Sequence, residues 1–177
     1  MPIKCKPIPY QEFSTKQEII DNTNCLAFVL GINRVKRKTG EFSLEKTDES
    51  IEVTFLKKVE ELGFDPQRFK VISHKDEKDT YGYIIRVYGF VRKTNYFKKK
   101  TYYDYHLMRR EPDGQWVHKP GFYYQARLVT QQDWGAIWLK YGGQFVSFSI
   151  DEDAWKEYCI LQCSFSIKYL QIKFPII

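Results

Sequence analysis

The residues best suited to chemistry are one cysteine and two histidines. Cys25 lies at the predicted start of a short apolar helix, and His106 and His118 flank a predicted β-turn far downstream. A thiolate attacks carbonyl carbon, and an imidazole can take its proton and pass it to a leaving group. Because a helix N-terminus favours a thiolate, these residues indicate hydrolysis of an amide or ester bond.

The turn between the two histidines decides whether they meet. Pro112 suits the second position of a type I turn, and Gly114 suits the left-handed position after it. The resulting three-residue loop pairs Met108 with His118, which puts His106 on the same sheet face, one diagonal step away. A two-residue loop would place the histidines on opposite faces. The predicted contact therefore depends on the glycine.

Each residue of this predicted site has a role. Cys25 is the nucleophile and His106 the general base, while either His118 or Asp104, which points to the same face, orients the imidazole. The backbone N–H of Cys25 helps to bind the oxyanion. Hydrolysis, transfer to an amine and deamidation of a glutamine side chain use the same groups. The sequence leaves those three reactions open.

The order of the predicted helices and strands that position these residues indicates an α+β fold with an antiparallel sheet. Helices come first, with a short one starting near residue 14 and others at 25–30 and 50–62. Residues 34–49 are predicted to be an exposed loop. Strands follow at 81–91, 102–110, 115–119, 122–129, 145–150 and 158–174.

The composition is that of a single folded domain over residues 1–177. Hydrophobic residues make up 43% of the chain and aromatic residues 17%, without a repeat or a Gly/Ser-rich linker. No apolar run approaches the roughly 20 residues that span a bilayer, and the first residues contain no apolar signal core. We therefore predict no membrane span and a cytoplasmic location by default. Delivery as a secreted effector and a phage origin fit equally well.

Charge and cysteine content restrict the classes of protein further. The net charge of +6 permits an acidic partner but selects none. Four cysteines, unevenly spaced, are too few for a disulfide framework. Cys159 and Cys163 are predicted to be buried thiols on one face of a strand.

Three stretches of the chain resemble papain-like cysteine peptidases and amidases of the NlpC and CHAP type. Residues 24–31, 104–109 and 113–121 are similar to a bacterial group with an Asn-Cys helix start and an Asp-Tyr-His hairpin. The resemblance implies a papain-like fold, with short N-terminal helices and the cysteine at a helix start packed on an antiparallel sheet. It also implies thiol chemistry without a cofactor on a peptide, peptidoglycan or protein substrate. The Asp-Cys-Ser-Gly entry usual in cell-wall enzymes is absent, so the substrate stays open.

Parts of the sequence also fit functions other than hydrolysis. Cys25, His106 and His118 are zinc-ligand types, but no short-spaced pair of ligands supports a metal site, so none is predicted. Residues 92–100 mix five cations with two aromatics, a composition typical of single-stranded nucleic-acid surfaces. No RNA-recognition motif accompanies them, which makes nucleic acid the weaker alternative. A non-catalytic papain-like scaffold is a further alternative.

Overall fold

Three short helices begin the part of the chain that the computed structural model describes, residues 7–32 and 43–162. They are α1 (Glu12–Thr15), α2 (Gln17–Asn22) and α3 (Cys25–Val29). Asn24 caps α3, because its side-chain oxygen accepts the N–H of Ala27 at 3.0 Å. The predicted helix at 25–30 is therefore confirmed to within one residue.

Gly31 ends α3 in a way that only glycine allows. Its φ is +63°, and a Cβ at this position would lie 2.5 Å from Cβ of Pro7. Ile8 also donates its N–H to the carbonyl of Gly31. The glycine thus lets the N-terminal segment pack directly against the end of the helix.

Helix α4 (Ile51–Glu61) lies within the helix predicted at 50–62. The hydroxyl of Ser50 accepts the N–H of Val53, and the helix buries Phe55 and Val59 against the sheet. The ring of Phe55 packs 4.8 Å from that of Phe148, centroid to centroid.

One antiparallel sheet of six strands forms the centre of the fold. Its strand order is β1-β6-β2-β3-β4-β5. The strands are β1 (Phe69–Ile72), β2 (Ile84–Asn95), β3 (Lys100–Arg110), β4 (Trp116–His118), β5 (Arg127–Leu128) and β6 (Phe145–Ile150). The α+β prediction with an antiparallel sheet agrees with this architecture.

The sheet has a different layer on each face. Leu107 on β3 belongs to the large core that includes α3 and α4. Its neighbour Met108 belongs to a smaller cluster beneath helix α5 (Gln131–Tyr141). Side chains that follow one another along β3 therefore lie in different layers.

Several predicted elements are wrong. Of the strand predicted at 122–129, only β5 forms, and α5 and β1 were not predicted at all. Residues 153–162 are helical, so Cys159 does not lie on a strand, and it is a half-buried, disulfide-bonded residue rather than a buried thiol. The rest of that predicted strand, with Cys163, lies outside the described residues. Most of the predicted loop at 34–49 lies there too, and Leu44 in its described part is buried.

No helix in residues 7–32 or 43–162 is both long enough and apolar enough to cross a bilayer.

Candidate active site

The hairpin β3–β4 brings the two histidines together. Met108 pairs with His118 and Arg109 with Val117, the register that the sequence predicts. Gly114 has a φ of +88°, and its N–H bonds the carbonyl of Glu111 at 2.9 Å. Register and turn together leave the histidines on the face covered by α5.

The imidazoles of His106 and His118 are in direct contact. Nε2 of His106 lies 3.1 Å from Nδ1 of His118, and the rings are nearly perpendicular, at 86°. Both side chains are buried, with exposures of 7% and 4%. The ring of Tyr141 on α5 lies parallel to that of His106, 6.3 Å away.

The contact continues to a carboxylate on α5. Nε2 of His118 lies 3.5 Å from Oδ2 of Asp133 and is buried with no full hydrogen bond among the described residues. We therefore treat this contact as electrostatic rather than as a normal hydrogen bond. Asp133 is held by an ion pair with Arg127 and by a capping box with Thr130. Arg127 holds the pKa of the Asp133 carboxyl well below its usual range.

The order of contacts suggests where the protons lie. A proton on Nε2 of His118 faces Asp133, which leaves its Nδ1 as an acceptor for the Nε2–H of His106. Nδ1 of His106 then carries the lone pair. Burial lowers the pKa of His106 to about 3, with a further contribution from His118. Burial also lowers the pKa of His118, so both rings are neutral at pH 7.

A pocket of about 210 Å³ lies between this hairpin and α5. Asp104 lines it and forms ion pairs with Lys93 and Lys140. Burial opposes the charge of Asp104, but Lys140 and Lys93 outweigh it and lower the pKa of the carboxyl. Other lining residues include both histidines, Tyr105, Pro120 and Tyr141.

The thiol of Cys25 lies beside β3, where it contacts the backbone of Leu107. Cys25 packs in the core that contains Leu107, whereas His106 contacts α5. Its sulfur accepts the backbone N–H of Leu107, yet burial raises the pKa of the thiol to about 11. Helix α3 has only five residues, so its dipole offers little compensation. The thiol is therefore protonated at neutral pH.

The structure thus joins only some of the predicted site residues. His106 contacts His118, while Asp104 pairs with lysines, and no hydrogen bond or ion pair between described residues links Cys25 or Asp104 to His106. The sequence reasoning missed Asp133. The Thr130-x-x-Asp133 spacing of a capping box is the signal that would have revealed the start of α5.

Histidine, carboxylate and thiol side chains are also the common protein ligands of metal ions. No group of three or more His, Cys, Asp or Glu side chains within the described ranges is arranged to hold a metal ion.

Comparison with known proteins gives no match to any protein family, curated protein or solved structure.

Proposed function

We propose that the protein is a papain-like cysteine hydrolase that cleaves an amide or ester bond, with Cys25 as the nucleophile and His106 as the acid–base group. One observation carries the proposal. The thiol of Cys25 accepts the N–H of Leu107, the residue directly after His106 on the strand that lines the pocket.

The open edge of β3 supports this assignment. Glu111 donates its N–H across the hairpin to Gln115, and in an antiparallel ladder the N–H of Leu107 points to that same edge. The described β3–β4 ladder ends at the Met108–His118 pair, before it reaches Leu107. The thiol therefore lies beside β3, just past the end of the β4 ladder and next to the strand that lines the pocket.

The reaction would proceed in two steps. A proton moves from the Cys25 thiol to Nδ1 of His106, and the sulfur forms a bond to the carbonyl carbon of the substrate. The bond from that carbon to nitrogen or oxygen breaks as His106 returns the proton to the leaving group. Water then hydrolyses the thioester, which releases the acid and restores the thiol. His118 orients the imidazole, and the negative charge of Asp133 favours its charged form.

The proposal requires the thiol to leave its resting position. In that position it is buried and protonated, and no hydrogen bond between described residues joins it to the His106 ring. Movement past Leu107 would bring it to the pocket. We regard the described arrangement as the resting form of the enzyme.

A second candidate follows from the same burial. A thiol with a pKa of about 11 is a poor nucleophile at neutral pH, and a protonated cysteine in a core is a good packing residue. On this alternative the chain is a non-catalytic scaffold, and Cys25 only packs α3 against the sheet.

Labelling by iodoacetamide at pH 7, measured for each cysteine by peptide mass spectrometry, separates the two candidates. Rates are taken for wild type, His106→Gln and the matched control His74→Gln, and each is divided by the rate of the same variant in urea. His74 is a suitable control because its side chain is 69% exposed and it does not line the pocket. Asp133→Asn, which keeps all three histidines, provides a milder perturbation of the same site.

The hydrolase proposal expects His106→Gln to slow the labelling of Cys25 at least tenfold, because a positioned base contributes about 10²–10⁴-fold. Asp133→Asn should slow it less, and His74→Gln should leave it unchanged. Equal rates in wild type, His106→Gln and Asp133→Asn, with near-UV circular dichroism preserved, would refute the proposal and favour the scaffold.

A further inference from the structure

The β2–β3 hairpin extends well beyond the rest of the sheet. Its two strands stay paired as far as Asn95 and Lys100. By contrast, β6 pairs with β2 only as far as Tyr88, and the β4 ladder on β3 begins at Met108. Residues 91–104 therefore form a two-stranded ribbon with no described strand beside it.

Two aromatic rings form the tip of this ribbon. Phe97 is 101% exposed and Tyr96 85% exposed, the extreme values among the large hydrophobic side chains near the turn. Asn95 accepts the N–H of Lys98 at 3.0 Å, and Lys99 has a φ of +49°, so the turn is closed by a side-chain hydrogen bond. Two adjacent aromatic rings, exposed to 85% and 101%, form an apolar patch of the kind that marks an interaction site.

The charge around the tip has one sign. The sequence has no acidic residue between Asp79 and Asp104, and residues 92–100 contain five cations. Lys93 pairs with Asp104, whereas Arg92 and the lysines at 98–100 have no carboxylate partner among the residues that the structure describes. The ribbon thus presents an apolar tip next to four cations that form no ion pair with a described carboxylate.

We propose that the tip of this ribbon docks on an anionic phospholipid bilayer, with Tyr96 and Phe97 inserted at the headgroup level and the cations on the lipid phosphates. Amphipathic surfaces with aromatic rings and flanking lysines bind membranes in this way. The docking is peripheral and independent of the proposed hydrolase activity.

The arrangement of the tyrosines argues against single-stranded nucleic acid as the partner. Successive bases need a continuous platform of rings. Tyr102 lies opposite Lys93 and Tyr103 opposite Arg92, so these two rings are on different faces of the ribbon. The apolar surface is concentrated at the tip, which suits insertion better than stacking.

Cosedimentation with vesicles tests the proposal. The full chain is mixed with vesicles of phosphatidylcholine alone or with one third phosphatidylserine, at low and high salt. The variants are the pair Tyr96→Ser with Phe97→Ser, and the triple change of Lys98, Lys99 and Lys100 to Gln. Leu139→Ser, at an 86% exposed position on α5, controls for loss of an apolar side chain. Lys46, Lys57 and Lys70, all exposed and changed together to Gln, control for net charge.

We expect wild type to bind phosphatidylserine vesicles, with binding that weakens at high salt. Each lysine near an anionic surface changes affinity about fivefold, so the tip triple variant should bind roughly a hundredfold more weakly. The aromatic pair variant should also lose most of its binding, while both controls retain it. No binding, equal binding by the tip variants and their controls, or binding to an oligo-dT strand but not to vesicles would overturn the proposal.

Discussion

Nε2 of His106 and Nδ1 of His118 lie 3.1 Å apart inside the protein, twelve residues apart in the chain. One imidazole must donate this hydrogen bond and the other must accept it. Two neutral rings can therefore satisfy each other at this contact. A proton added to either ring would bring charge into a buried site. This contact therefore links the candidate site to the stability of the fold.

Acid should destabilise the protein before its carboxylates titrate. Burial lowers the pKa of folded His106 to about 3, below the 6.5 of an unperturbed histidine. Below pH 6.5 the unfolded chain therefore binds more protons, and stability falls as the pH drops from 6.5 towards 3. We expect a loss of about 2 kcal/mol between pH 7 and pH 5, measured by urea unfolding.

The variant His106→Gln provides the control for this pH dependence. It removes the titrating group, so its unfolding free energy should change less between pH 7 and pH 5 than that of wild type. An equal slope in the two proteins would show that His106 is not the source.

Asp133 should contribute more to stability than its capping partner Thr130. Asp133→Asn weakens the N3 half of the capping box, the ion pair with Arg127 and the contact with His118. Thr130→Ala removes only the N-cap hydroxyl, at a cost of about 1 kcal/mol. Urea unfolding at pH 7 should therefore rank Asp133→Asn as the less stable variant. The reverse order would mean that the contact of Asp133 with His118 is energetically unimportant.

A buried ion pair holds the loop before β2 against the sheet. Glu77 is 5% exposed and accepts hydrogen bonds from Arg86 and Ser147. The guanidinium of Arg86 also lies 4.4 Å from the centroids of the Trp116 and Phe145 rings. Glu77→Gln leaves that buried cation without a full partner, which should cost about 3–5 kcal/mol.

The neighbouring Asp76 offers a matched test of this ion pair. Its side chain is exposed, so Asp76→Asn should change the unfolding free energy by no more than about 0.5 kcal/mol. Both variants lose one negative charge, so a difference between their unfolding free energies reflects the burial of Glu77. Thermal or urea unfolding measures that difference. Similar small effects would argue that the Glu77–Arg86 pair is dispensable.

Gly114 should matter for its backbone conformation alone. A Cβ at this position meets no atom within 4 Å, but the φ of +88° is strained for any other residue. Gly114→Ala should cost about 1–2 kcal/mol in urea unfolding. Gly89→Ala is the control, because it too has open space and its φ is not in the left-handed range. Equal losses would contradict the role of the turn.

The turn also explains why part of the candidate site was predictable. Pro112 and Gly114 determine the loop type, and the loop type determines which residues of the two strands face each other. The contact of His106 with His118 follows from the thirteen residues of sequence that run from one to the other. The start of α3 at Cys25 is equally local, and it too was predicted.

Other elements were mispredicted because their local signals are weak or conflicting. Helix α5 contains Gly135 in its middle, which lowers its intrinsic helical preference. Its capping box is therefore the only clear sequence signal for this helix. Residues 158–162 are rich in apolar and aromatic types that favour strands, yet they are helical. Such short apolar runs fit either structure, and packing decides between them.

The sequence by itself therefore determined the local events: the caps, the hairpin turn and the pairing of two histidines. Only the tertiary structure decided which layer covers each face of β3. That choice buries Cys25 in the core with Leu107, and places His106 and His118 against α5 and Asp133. The physical reason is that the packing of a helix on a sheet face depends on the summed burial of residues far apart in the chain, whereas a turn depends on three or four neighbours.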